Sequence, residues 1–129
     1  MISFPIEFTE IFPGFVRVIV ADSVLSGLKY WAKRVDDPLD ELISWEKDSS
    51  SLGSAFRVKI DGDCYYSIII TRDGSLSTLV HESLHMAFYI LAHYDIYFDR
   101  TEHEILCRTQ QALLNKILPE LKQRKIELK

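Results

Sequence analysis

The spacing of hydrophobic positions changes several times along the chain, and each change predicts an element. Residues 2–13 are apolar but interrupted by Pro5 and Pro13, and Pro13-Gly14 reads as a turn. The first expected strand spans about 15–21, where Val16, Val18, Ile19 and Val20 form a β-branched run. Val24, Leu28, Trp31 and Val35 then recur at helical spacing, predicting an amphipathic helix capped by Asp22 or Ser23. Asp36-Asp37-Pro38 ends that helix. With Asp37 as N-cap and Pro38 as first helical residue, a second, short helix is expected to about Lys47.

The polar stretch 48–54 reads as the most flexible internal loop. Beyond it, two strand-like runs flank Asp61-Gly62-Asp63, which predicts a β-hairpin over about 55–71. A helix is expected over about 76–94. Its Leu76, Leu79, Val80, Leu84, Ala87, Phe88, Ile90 and Leu91 fall on almost every side, as in a buried central helix. A last helix, about 102–125, carries Ile105, Leu106, Leu113, Ile117 and Leu121 on its apolar side, and Pro119 is expected to kink or end it. The sum is one α+β domain over residues 1–129, a short, mostly antiparallel sheet packed on helices.

Composition narrows the partners rather than the fold. A chain of 129 residues builds one core and leaves no room for a separate recognition domain. With 47% hydrophobic and 26% charged residues it has the make-up of a folded protein. A net charge of −4 supplies no footprint for nucleic acid, and the basic run Lys122 to Lys125 reads as a solvated helix end. Cys64 and Cys107 lack zinc or redox spacing and are expected as small core residues. The N-terminus lacks the pattern of a secretion signal, and no apolar run is long enough to span a membrane. The expectation is a cytoplasmic protein without a membrane partner. Oligomeric state is left open.

Candidate chemistry concentrates in His81-Glu82-Ser83-Leu84-His85, a His-Glu-x-x-His motif inside the apolar helix. Histidines four residues apart share one helical face and can ligate one metal ion, with the glutamate placed to act as a base. Nitrogen and oxygen ligands suit zinc best, although nickel, cobalt and manganese share these donor types. A catalytic zinc takes a third protein ligand and keeps one position open. The variant H-E-x-x-H-x-x-G-x-x-H does not apply, because its glycine and third histidine fall on Phe88 and Leu91. His93 is out of register. The remaining source is Thr101-Glu102-His103-Glu104, where spacing leaves Glu102, His103 and Glu104 open, and Thr101-x-x-Glu104 also reads as a capping box.

His81 to Leu91, together with His103-Glu104-Ile105-Leu106-Cys107, resembles the minimal gluzincin-like zinc metallopeptidases encoded by tailed bacteriophages. The resemblance covers about a quarter of the chain. It implies a zincin-like fold, a zinc cofactor held by His81, His85 and Glu104, Glu82 as general base, a peptide or protein substrate, and action in a host cytoplasm. Larger gluzincin peptidases often carry an acidic residue four positions after the ligand glutamate, where this sequence has Arg108.

The expected activity is therefore zinc-dependent peptide-bond hydrolysis, with water activated at the metal and Glu82 moving its proton. The peptide is expected along a sheet edge, taken as the Cys64–Thr71 strand. Tyr94, Tyr97 and Arg100 are the candidates for stabilising the oxyanion, each read more readily as a packing or surface residue. The alternative is a catalytically weak or inactive module in which the metal is structural and the chain serves binding or assembly.

Overall fold

The computed structural model describes residues 1–8, 13–96 and 103–129, the side chain of His103 excepted. Among these, β1 (Ile2–Glu7), β2 (Phe15–Ala21), β3 (Gly53–Ile60) and β4 (Asp63–Thr71) form one sheet in the order β1-β2-β4-β3. The helices are α1 (Val24–Val35), α2 (Asp40–Glu46), α3 (Leu76–His93) and α4 (His103–Gln123). The domain is α+β, but the sheet is mixed. β1 pairs antiparallel with β2 and β3 antiparallel with β4, whereas β2 and β4 run parallel, Val18 beside Ile68. The crossover through α1 between β2 and the hairpin makes that joint parallel.

The inner strands β2 and β4 are buried on both faces, which explains their nearly unbroken apolar runs. Val16, Val18, Val20, Ile68 and Ile70 face a core completed by Leu79, Met86 and Ile90 of α3 and by Leu113 and Ile117 of α4. Ile19, Ala21 and Ile69 face the other way, against Leu28 and Trp31 of α1. α1 begins at Ser23, whose side chain accepts from the Ser26 backbone while Ser26 reaches back, closing a capping box.

Several expectations change. Residues 2–7 form a strand despite Pro5, because β1 lies at a sheet edge where a missing N–H is tolerated. α2 begins at Asp40 rather than Pro38: Asp37 Oδ1 accepts from the Leu39 backbone at 2.8 Å, and Leu39 adopts a left-handed φ of 51°. That local turn uses the carboxylate that was expected to cap the helix. Of the two outcomes expected at Pro119, the helix does not end there: α4 runs through it to Gln123, close to the expected 125. The carbonyl that Pro119 cannot reach belongs to Asn115, an exposed residue where water can replace the lost donor. Cys107 is exposed rather than in the core, and Cys64 is half-buried against the core.

The largest correction concerns α3. Leu79, Met86, Ala87 and Ile90 are buried, but Leu76, Val80, Leu84 and Phe88 are 37–45% exposed. α3 is therefore a two-sided helix with an apolar stripe on its outer face. The second correction is topological: β4 is enclosed between β2 and β3, so it has no free edge for a peptide. β3 has one. Among the described residues, no helix is long and apolar enough to cross a membrane.

Candidate metal centre

Ser75 caps α3 by accepting from the Thr78 backbone at 3.1 Å, which fixes the rotation of the helix as it leaves the sheet. Two turns of that helix present the motif. His81 and His85 are exposed and their Nε2 atoms lie 3.1 Å apart, the ring centroids 4.8 Å apart. Glu82 points inward; it is 8% exposed, and its Oε1 stands 3.9 Å from His81 Nε2. The apolar surroundings thus enclose the carboxylate and leave the imidazoles open.

The geometry of β3 explains where Glu82 is held. Gly53 meets Thr78, the Ala55 backbone reaches Glu82, and Arg57 lies 5.4 Å from the Tyr89 ring centroid. The strand thus runs alongside α3 in the same direction. A Cβ at Gly53 would lie 2.7 Å from Thr78 Cγ2 and 2.9 Å from Ile70 Cδ1, so glycine permits this close approach. Burial pushes the Glu82 carboxyl above its ordinary range. His85, His81 and a hydrogen bond from the Ala55 backbone oppose that shift, and Glu46 adds to it.

Glu46 is the participant that sequence reasoning missed. It ends α2, its Oε2 is buried without a hydrogen-bond partner among the described residues, and its charge is felt at Glu82. Nothing in the linear pattern tied a residue before the 48–54 loop to the motif helix. Gln110 was missed too. Its Nε2 donates to Val80 O at 3.0 Å and to Ser83 Oγ at 3.3 Å, pinning α4 to α3 at the level of the motif.

The third-ligand candidates divide. Glu104 lies in the first turn of α4, exposed, with Oε1 accepting from Arg108 Nε at 2.9 Å. Arg108, the departure noted in the sequence, is thus the partner of Glu104. Thr101 and Glu102 lie outside the described residues. Among the described residues, no three His, Cys, Asp or Glu side chains converge as a metal-holding group. The structure brings together His81, His85 and Glu82, and pairs Glu104 with Arg108.

His93 packs edge-on against Tyr66 and Tyr94, away from a role beside His85. Of the oxyanion candidates, the Tyr94 hydroxyl donates to the Pro13 carbonyl at 2.8 Å, while Tyr97 and Arg100 lie outside the described residues. No protein-family model matches the chain, and no curated protein or solved structure matches it either.

Proposed function

We propose that this protein is a zinc-dependent peptide hydrolase with Glu82 as its general base. The observation that carries the reading is the convergence of His81 and His85 Nε2 at 3.1 Å beside a buried carboxylate. Two imidazole nitrogens on one tetrahedral zinc, each bonded at ~2.0–2.1 Å, stand roughly 3.3 Å apart. The observed separation therefore fits a shared ion. A hydrogen bond between the rings would also bring the nitrogens together, but it gives no role to the enclosed Glu82.

In this reading His81 and His85 hold the metal with a third ligand from Thr101 to Glu104. Glu104 is the residue the resemblance implies, and it would leave Arg108 to serve. When bound, zinc acidifies the attacking water and polarises the scissile carbonyl. Glu82 would take the proton from that water and pass it to the leaving amine, its carboxylate standing 3.9 Å from His81. The Ala55 backbone holds the carboxylate in place. Residues of the same parity on an antiparallel strand point their N–H and C=O groups to the same side. Gly53, Arg57 and Lys59 therefore share the outward side of β3 with Ala55, and this edge lies beside Glu82. A peptide added there in extended form would pass the base, with its backbone groups satisfied by the strand.

The test is zinc content after reconstitution, measured on wild type and on His85→Ala, Glu102→Ala, His103→Ala and Glu104→Ala, with peptide hydrolysis followed in parallel. About one zinc per wild-type chain and none in His85→Ala is expected. Loss in Glu104→Ala alone among the last three would fix the third ligand. A wild-type protein that binds no zinc would sink the proposal. Zinc without any hydrolysis would leave the binding-module alternative.

A further inference from the structure

A cavity of about 470 Å³ lies at the end of the sheet where β2 and β4 begin. Phe15 and Arg17 of β2, Trp31 and Arg34 of α1, and Tyr65 and Tyr66 of β4 contribute to its wall. The wall is aromatic, yet it carries two guanidinium groups close enough for the charge of Arg34 to be felt at Arg17. Arg17 Nη1 donates to Ser3 Oγ at 3.3 Å and Arg34 Nη1 to the Tyr30 hydroxyl at 3.4 Å, both neutral acceptors.

Arg72, Arg108 and Arg124 each pair with a carboxylate, and Arg57, which pairs with none among the described residues, lies over the Tyr89 ring. Arg17 and Arg34 pair with none among the described residues, in a chain that carries 19 acidic and 15 basic side chains. Asp63, on the same wall, makes no ion pair with either. Two like charges beside an apolar recess, without a carboxylate partner among the described residues, oppose each other unless an anion lies between them.

We propose that this cavity binds a carboxylate carried on an aromatic or apolar body, the charge meeting Arg17 and Arg34 and the body lying against the aromatic wall. Guanidinium groups suit the planar, two-oxygen geometry of a carboxylate. Two sources share this chemistry: a free aromatic acid and the C-terminal end of a peptide. The site is independent of the metal reading, and binding should persist in EDTA.

Calorimetry on the intact protein separates the outcomes, with phenylacetate and N-acetyl-glycyl-phenylalanine as carboxylate probes, their amides as neutral counterparts, and inorganic phosphate as a bare anion. At least one acid should bind tenfold or more tightly than its amide and than phosphate, and the tighter acid identifies the source. Arg34→Gln, at an exposed position, should weaken binding about tenfold without loss of fold, and Arg17→Gln should do the same. Arg72→Gln should bind as wild type. Amides that bind as well as the acids, phosphate that binds as well as either acid, or an unaltered Arg34→Gln affinity would each overturn the assignment.

Discussion

α1 and α3 pack on opposite faces of one sheet, and each buries a stripe against it: Val24, Leu28 and Trp31 from α1, Leu79, Met86 and Ile90 from α3. Their outer faces differ. α1 turns Lys29 and Lys33 to solvent, the pattern of a helix whose main task is packing. α3 turns out Leu76, Val80, Leu84 and Phe88, with His81 and His85 beside them. Core formation requires neither the apolar stripe nor the imidazoles, and Glu82, which turns inward beside Ser83, is a carboxylate held against its preference for water. The contrast separates residues that the core requires from residues that it does not.

The strongest way to break this contrast is Glu82→Gln. Removing the base should lower hydrolysis by roughly 10²–10⁴-fold while zinc content stays at the wild-type level. Retained activity would remove Glu82 as the base. A second substitution pair tests the packing side. Leu28→Ala on α1 and Met86→Ala on α3 each empty a fully buried position and should cost about 2–5 kcal/mol in denaturant unfolding. If the two inner stripes have the same task, these costs should be similar; a much smaller cost at Met86 would mean that α3 is not anchored as the contacts imply.

The same contrast explains what the chain revealed in advance. Elements whose periodicity is set by the core were legible: the 15–21 strand, the hairpin about Asp61-Gly62, the Ser23 cap and the extent of α3 all have local causes. β1 was hidden because Pro5 reads as a breaker until an edge position makes it harmless. The start of α2 was displaced because Asp37 served its own turn, a choice between two local hydrogen bonds that sequence does not rank. At the site, His81, Glu82 and His85 stood out by spacing alone. Glu46, Ala55 and Gln110 did not, since their roles depend on long-range placement around β3 and between helices. The burial of α3 was overestimated because apolar residues on all sides resemble a core helix, whether or not the outer ones find a partner.

A subtler effect is expected from pH. Glu82 binds its proton more tightly in the folded metal-free protein than in the unfolded chain, so folding disfavours its ionised form. Below the unfolded carboxylate pKa of about 4.3, Glu82 is protonated in both states, and wild type and Glu82→Gln should melt alike. As pH rises from there through the raised folded value, wild type should lose stability relative to the variant, and the deficit should persist at neutral pH. Melting curves in EDTA from pH 4 to 8 measure this directly. A variant less stable than wild type at pH 7 would show that the hydrogen bond from Ala55 and the two histidines outweigh the burial.

The smallest effect expected on folding falls on the outer stripe. Leu84 lies between the two histidines in sequence and is 37% exposed, so little of its side chain has left water and Leu84→Ser should change stability by no more than about 0.5 kcal/mol. Its effect belongs with the substrate. The stripe adjoins the imidazoles on the side away from Glu82, so a substrate side chain reaching across the two histidines can contact it, and losing one such contact should raise KM a few-fold with kcat little changed, because ground state and transition state lose the same contact. A loss of 2 kcal/mol or more in the metal-free protein would place Leu84 in the core and erase the difference between the outer faces of α1 and α3. Unchanged stability with unchanged KM would keep the difference in packing but remove the stripe from substrate binding.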